Sequence, residues 1–151
     1  MKRVLIVDDE KDVRKLLEQT LKSKDYEILQ AGTGEDALVI SRKMRPDLIL
    51  MDIMMPGDLN GIEATRMLKA DVRTKQSKVI ILTSSSTLKE LAMSAGADAY
   101  FSKPFSPLEL LQKIDESLGE TFLERGKELR LGSRQSNSVS NLYQPSHLKQ
   151  W

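Results

Sequence analysis

The acids Asp8, Asp9 and Glu10 are the first residues of this chain whose types and spacing indicate chemistry. They directly follow the apolar run at residues 4–7, which predicts a buried strand with three carboxylates at its carboxyl end. Adjacent carboxylates repel one another unless a hard cation or a network of hydrogen bonds compensates their charge. The pattern therefore indicates a candidate magnesium site. The alternative is that these acids only begin the next helix, where negative charge suits the positive end of the helix dipole.

Three more reactive or charged residues, Asp52, Thr83 and Lys103, come at or just after the ends of further apolar runs. With the first acids they form a complete set for transfer of a phosphoryl group to a carboxylate. Asp52 would be the nucleophile, and Asp8 and Asp9 would bind Mg²⁺. Thr83 and Lys103 would contact the oxygens of the transferred group.

Each of these residues also has an ordinary structural interpretation. Asp52 could cap the turn that follows it, Thr83 could cap a helix, and Lys103 could be a solvated surface lysine. The chemical interpretation is favoured by their joint occurrence at the ends of four predicted strands, which composition alone makes improbable.

Segments with helical periodicity separate the apolar runs, and this alternation predicts an α/β domain with a parallel sheet. The predicted strands cover residues 4–7, 28–29, 48–51, 79–82 and 99–101. The predicted helices cover about 12–22, 34–44, 61–70, 88–95 and 107–118. In the first helix, Arg14 and Lys15 belong to the charged face of an amphipathic pattern. Such a doubly wound domain has helices on both faces and its ligand site at the carboxyl ends of the strands.

Composition limits the possible classes of protein. A chain of 151 residues with 40% hydrophobic residues predicts about one domain. It has no cysteine, which excludes disulfides and thiolate chemistry, and its one histidine, His147, excludes a histidine-rich metal site. No leader and no apolar run of roughly 20 residues is present, so we expect a soluble cytoplasmic protein without a membrane contact. A net charge of +1 gives no reason to expect direct nucleic-acid binding.

Four motifs resemble those of the receiver domain of two-component response regulators, the chemotaxis-regulator-like domain. They are Val-Asp-Asp-Glu at 7–10, Pro-Asp-Leu-Ile-Leu-Met-Asp-Ile-Met-Met-Pro-Gly at 46–57, Leu-Thr-Ser at 82–84, and Gly-Ala-Asp-Ala-Tyr-Phe-Ser-Lys-Pro-Phe at 96–105. The resemblance covers residues 2 to about 119. It implies a flavodoxin-like fold with five parallel strands in the order 2-1-3-4-5.

The resemblance also implies a phosphorelay function for the acidic site. Asp52 would accept a phosphoryl group from a sensor histidine kinase or phosphotransfer protein. Mg²⁺ would be held by Asp8 or Asp9, by Asp52 and by the backbone carbonyl of Met54. The protein would then be no enzyme apart from catalysing its own phosphorylation and dephosphorylation.

A conformational switch is the second implication of the resemblance. Thr83 would move toward the phosphate and Tyr100 would rotate inward behind it. The change would reach the surface formed by the fourth helix, fifth strand and fifth helix, where a downstream protein or a second copy of the chain would bind. The alternative for Tyr100 is a half-buried aromatic residue with its hydroxyl in water. The Lys103-Pro104 bond is usually cis in the family.

The chain departs from the family pattern in two places. The loop at 56–61 looks one residue longer and the segment at 83–96 about two residues shorter, which makes the fourth helix the least certain element. Residues 120–151 lie beyond the receiver domain predicted at 1–119. They are predicted to form a C-terminal extension: a short helix followed by a linker, with either a docking motif or a solvated tail at the end.

Several functional classes are compatible with these features. The chain is either a signalling module that acts through protein contacts or the amino-terminal part of a longer regulator with a DNA-binding or enzymatic effector. A phosphorylation-independent binding module is a further alternative. A doubly wound phosphatase with an aspartyl nucleophile is disfavoured, because that nucleophile would lie at the end of the first strand, whereas the better candidate here is Asp52.

Overall fold

A computed structural model of the protein describes residues 1–85 and 87–119, in which five strands alternate with five helices. The strands are β1 (Lys2–Val7), β2 (Tyr26–Ala31), β3 (Leu48–Asp52), β4 (Lys78–Thr83) and β5 (Ala99–Ser102). The helices are α1 (Lys11–Leu21), α2 (Gly34–Met44), α3 (Gly61–Ala70), α4 (Lys89–Ser94) and α5 (Pro107–Ser117). The C-terminal extension predicted at 120–151 lies outside the described residues. Within the described part, no helix has the length and apolar character needed to cross a bilayer.

The five strands form one parallel sheet in the order β2-β1-β3-β4-β5, which confirms the expected doubly wound fold. The strand order changes direction at β1, whose neighbour on one side is β2 and on the other β3. Val7 of β1 pairs with Met51 of β3. Asp8, which follows β1, and Asp52, the last residue of β3, therefore lie side by side at the carboxyl edge of the sheet.

Two apolar clusters lie on opposite faces of the sheet. Leu5 and Val7 belong to the cluster with the buried side chains of α2, α3 and α4. Val4 and Ile6 belong to the cluster with those of α1 and α5. Because helices cover both faces, successive residues of the inner strands are all buried, and this explains their unbroken apolar runs in the sequence.

Side-chain caps begin three of the helices. Thr33, Asn60 and Ser106 accept hydrogen bonds from the N–H groups three residues later, at the starts of α2, α3 and α5. Helix α4 has no such cap and is only six residues long, two fewer than the eight predicted at 88–95. The helix that the sequence marked as least certain is thus also the shortest of those described.

Candidate functional site

The candidate residues meet at the carboxyl edge of the sheet. The Lys103 ammonium, just after β5, lies 3.2 Å from Oδ2 of Asp8 and 3.8 Å from Oδ1 of Asp52. Lys103 is therefore an ion-pair partner of two carboxylates and not a solvated surface lysine. The Lys103-Pro104 peptide bond is cis, which confirms the expectation from the resemblance.

The three acids after β1 form a compact group, here called the acidic group. Asp8, Asp9 and Glu10 each place a carboxylate oxygen within 4.8 Å of the other two. Asp8 is buried, and its Oδ1 accepts a hydrogen bond of 2.9 Å from the Glu10 N–H. The carboxylates of Asp9 and Glu10 are exposed and make no hydrogen bond or ion pair with the described residues.

Glu10 is the member of the acidic group that the predicted ligand set omitted. Its position is the N-cap of α1, yet its side chain makes no capping hydrogen bond there. The unbroken run of three acids was the signal for it in the sequence. Asp52 is not a member of the acidic group, but the Lys103 ammonium contacts both it and Asp8.

Asp52 is a poorly solvated carboxyl group. Its residue is 9% exposed, and its Oδ1 accepts a hydrogen bond of 3.0 Å from the Ile53 N–H. Burial raises the pKa of Asp52 from 3.8 to about 6, while the Lys103 ammonium opposes this rise and the negative charges of Asp8 and Asp9 add to it. A titratable group with such a perturbed pKa in a cluster of charges is a candidate for chemistry.

The start of α3 packs directly on the backbone at Asp52. The N–H of Gly61 donates to the carbonyl oxygen of Ile53 at 2.9 Å. A Cβ atom on Gly61 would lie 2.0 Å from the carbonyl oxygen of Asp52, so only glycine fits at this contact. The position of the Asp52 carboxylate thus depends on a close approach between two backbone segments.

The loop between β3 and α3 is tied to the start of α2. Glu35 of α2 accepts a hydrogen bond of 3.2 Å from the N–H of Asp58, and Leu59 packs against the cluster of α2, α3 and α4. Gly57 has φ of +98°, a conformation that glycine adopts without strain. Met54, whose backbone carbonyl was the last predicted Mg²⁺ ligand, lies in this loop with its side chain 67% exposed.

Thr83 and Tyr100, the two residues predicted to form a switch, lie at the end of β4 and within β5. Thr83 is buried, its carbonyl oxygen accepts from the Lys103 N–H at 2.8 Å, and its Oγ1 accepts from the Ser85 N–H at 3.4 Å. Since α4 begins only at Lys89, Thr83 does not cap that helix. The hydroxyl of Tyr100 is buried and has no hydrogen-bond partner in the described residues, so the alternative that places it in water does not describe this structure.

Known proteins resemble this chain over most of its length. Residues 4–115 match the sequence profile of the response regulator receiver domain. The DNA-binding response regulator MtrA of Mycolicibacterium smegmatis is 34% identical over 132 residues, which are 86% of this chain and 56% of that protein. The phosphate regulon transcriptional regulatory protein PhoB of Pseudomonas aeruginosa is 39% identical over 122 residues, which are 80% of this chain and 53% of that protein. The chain spans about half the length of these curated relatives.

Solved structures share the fold. A CheY-like response regulator receiver domain protein from Methanospirillum hungatei superposes with a TM-score of 0.73 at 34% identity, covering 80% of this chain and 95% of that one. The receiver domain of a sensor histidine kinase from Pseudomonas aeruginosa gives a TM-score of 0.72 at 29% identity, covering 78% of this chain and 98% of that one. The latter structure has a magnesium ion coordinated in its active site cleft.

Proposed function

Because the chain belongs to the response regulator receiver domain family of two-component systems, we propose that it accepts a phosphoryl group on Asp52 and thereby switches a surface for protein contacts. Receiver domains are signalling modules that interact with histidine kinases, and phosphorylation and Mg²⁺ are general features of the family. The observation that carries the proposal is the contact of the Lys103 ammonium with the carboxylates of both Asp8 and Asp52, beside the acidic group.

The proposed chemistry is transfer from the phosphohistidine of a sensor histidine kinase or phosphotransfer protein. A carboxylate oxygen of Asp52 attacks the phosphorus, so that an O–P bond forms as the P–N bond to the imidazole breaks. The electron pair of the broken bond stays on the imidazole, which takes a proton from water. Lys103 and Thr83 would then bind oxygens of the acyl phosphate. Apart from this step and the hydrolysis of the acyl phosphate, in which water takes up the phosphoryl group and the Asp52 carboxylate is released, no further catalytic activity is proposed.

The donor set at the site suits a hard divalent cation. Carboxylate oxygens are the ligands that Mg²⁺ prefers, and the acidic group supplies three of them close together. We propose that Asp8, Asp9, Asp52 and the backbone carbonyl of Met54 hold the ion. Both oxygens of Asp8 are already engaged, whereas the Asp9 carboxylate is open. When bound, Mg²⁺ would neutralise the attacking carboxylate and the incoming phosphoryl oxygens.

Incubation of the wild-type chain with acetyl phosphate and Mg²⁺ is expected to add one phosphoryl group, as measured by intact mass. A chelator should prevent the addition, because the uncompensated acidic group would repel the phosphoryl oxygens. Asp58→Asn is a matched control, since Asp58 is an exposed carboxylate in the loop after β3 and should label like the wild type. The proposal would be refuted by a chain that forms no adduct and also fails to bind beryllofluoride.

Lys103→Ala and Thr83→Ala are expected to leave labelling detectable but to remove the conformational change that follows it. Their contacts with the phosphoryl group would distinguish the modified from the bare state, and a switch needs that difference in free energy. Amide exchange of α4 and β5 with and without beryllofluoride measures the change, and the exposed Thr87 provides a control as Thr87→Ala. A change of wild-type size in either variant would contradict the role given to that residue.

The output surface is proposed to be formed by α4, β5 and α5. Tyr100 in β5 packs against the apolar cluster that includes α4, and the apolar residues Leu91, Met93 and Leu108 are exposed on α4 and α5. The Tyr100 hydroxyl is buried and has no hydrogen-bond partner in the described residues, which costs roughly 1–3 kcal/mol. A second rotamer in which this hydroxyl finds a partner would recover that free energy. A downstream protein or a second copy of the chain would bind there.

A second candidate is that this chain is the receiver part of a longer DNA-binding regulator. The observation that favours it is that MtrA and PhoB, both about twice the matched length, are a DNA-binding and a transcriptional regulator. Residues 1–119 would then be the receiver domain, and residues 120–151 would lead to the effector. The coding sequence beyond Trp151 tests this candidate, since a stop codon there would exclude it.

A further inference from the structure

Arg14 of α1 connects the carboxyl end of β1 to the edge strand β2. Its Nη1 donates to the backbone carbonyl of Asp8 at 2.6 Å, and its Nε donates to Oε1 of Gln30 at 3.1 Å. The side chain is half-buried, and Arg14 follows the acidic group by one helical turn. The proposed phosphoryl transfer makes no use of it, so its position beside the acids calls for an explanation.

The hydrogen bonds around Gln30 form a chain with one consistent direction. Nε2 of Gln30 donates to Oε2 of Glu18 at 2.7 Å, so Oε1 is left to accept from Arg14. The Asp8 N–H in turn donates to the carbonyl of Ala31 at 3.1 Å. The backbone N–H of Asp8 is therefore bound directly to β2, at Ala31. Its carbonyl oxygen is linked to β2 indirectly, through the Arg14 guanidinium and Gln30.

The held carbonyl sets the direction of the residues that follow it. The Asp8 carbonyl and the Asp9 amide belong to one planar peptide unit, so fixing the first orients the backbone from which the Asp9 carboxylate projects. Repulsion among the three carboxylates would otherwise favour a loop in which they spread apart. The described donors of Arg14 go to neutral oxygens, which leaves the carboxylates of Asp9 and Glu10 open to a cation.

We propose that Arg14 is a positioning residue for the Mg²⁺ site: by holding the Asp8 carbonyl, it pre-orients the carboxylate of Asp9, one of the proposed ligands, for the ion. The inference rests on the proposed function, because it concerns the same acidic group. Groups that orient metal ligands from behind typically change metal affinity by about 10–100-fold when they are removed.

The test compares Arg14→Gln with Lys15→Gln in the full chain. Both substitutions remove one positive charge from the same helix, and Lys15 is exposed. Isothermal titration with Mg²⁺ alone, without a phosphodonor, is expected to show binding weakened about tenfold in Arg14→Gln and nearly unchanged in Lys15→Gln. Electrostatics alone would give the opposite sign, because losing a nearby positive charge strengthens the binding of a cation. Weakening is therefore a readout that a purely electrostatic role would not produce.

Two further variants separate anchoring from folding. Arg14→Lys keeps the charge but cannot bridge two acceptors with a rigid fork, so its Mg²⁺ affinity should fall between those of the wild type and Arg14→Gln. Gln30→Met removes one anchor without a change of charge and should weaken binding a few-fold. Circular dichroism establishes which variants are folded. If Arg14→Gln is unfolded, the Mg²⁺ affinity of Gln30→Met tests the inference instead.

The outcomes distinguish the inference from the proposed function. A wild-type chain that fails to bind Mg²⁺ would contradict the proposed function itself. Binding by the wild type with an affinity within twofold in both folded anchor variants would overturn only the positioning role. Equal weakening in Arg14→Gln and Lys15→Gln would overturn it as well, because Lys15 does not contact the acidic group.

Discussion

Asp52→Asn is expected to lose phosphorylation completely and, at pH 7, to be more stable than the wild-type protein. The amide is no nucleophile toward a phosphoryl group, so labelling by acetyl phosphate should stop. The same amide carries no charge, and it removes a carboxylate that the fold solvates poorly beside Asp8 and Asp9. Loss of activity together with a gain in stability is the result expected when a residue serves function at a cost in stability.

The stability effect has a defined dependence on pH. The folded protein raises the pKa of Asp52 from 3.8 to about 6, so it binds the proton more tightly than the unfolded chain does. The favourable contribution of the protonated group is complete below about pH 4 and is lost as the pH rises through 6. At 1.36 kcal/mol for each unit, the ionised group costs up to about 3 kcal/mol at pH 7. The difference between the variant and the wild type should close as the pH falls toward 4.

Urea unfolding without Mg²⁺, at several pH values between 4 and 7.5, measures this difference in the free energy of unfolding. Added Mg²⁺ should stabilise the wild type more than the variant, because a ligand stabilises the state that binds it. The control is Asp58→Asn, whose stability should remain near that of the wild type. Equal free energies of unfolding for wild type and Asp52→Asn at pH 7 would contradict the raised pKa, and labelling that persists in the variant would place the phosphoacceptor elsewhere.

Gly61→Ala is expected to lower the free energy of unfolding by about 3 kcal/mol and to slow phosphorylation. Its new Cβ would lie 2.0 Å from the carbonyl oxygen of Asp52 and 2.8 Å from the Cα of Ile53. Both are backbone atoms, so relief requires α3 or the end of β3 to shift, and overpacking of this kind typically costs 1–3 kcal/mol or more. A displacement of roughly 1 Å in a reacting group can reduce a rate about a hundredfold.

Gly32→Ala is the matched control for Gly61→Ala. Its Cβ would meet nothing closer than Nη1 of Arg14 at 3.5 Å, an ordinary contact, and Gly32 has no positive φ. Urea unfolding and the initial rate of labelling by acetyl phosphate should both stay close to wild type in this control. If Gly61→Ala matched the control in both measurements, the backbone contact at Asp52 would not be what positions the phosphoacceptor.

The sequence predicted the inner strands and most helix bounds because burial on both faces leaves unbroken apolar runs. It predicted only residues 28–29 of β2, whereas the strand covers Tyr26–Ala31. The reason is that β2 is an edge strand: Glu27 and Gln30 interrupt the apolar pattern, and most of its residues are only half-buried. Helix α4 was predicted too long because no capping residue marks its start.

The sequence predicted those features of the candidate site that follow from where the strands end. It did not predict the contacts that depend on the direction of a side chain. The meeting of Asp8, Asp52 and Lys103 follows from the register of parallel strands. The link from Arg14 to the Asp8 carbonyl does not, because in the sequence Arg14 is one charged residue among others on the polar face of a helix. Periodicity shows which face a residue belongs to, but it does not show which backbone atom its side chain reaches.

In the unphosphorylated site, the position of the Lys103 ammonium depends on its attraction to two carboxylates, those of Asp8 and Asp52. One ammonium faces two carboxylates at the carboxyl ends of two neighbouring strands, at distances of 3.2 and 3.8 Å. Phosphorylation on Asp52 would add about one more negative charge at one of these two positions. The ammonium would then shift toward residue 52, and this shift would need no contact with the protein that donated the phosphoryl group. Different phosphorylating partners could therefore produce the same displacement of the chain after β5, since the displacement responds to the amount of negative charge and not to its source.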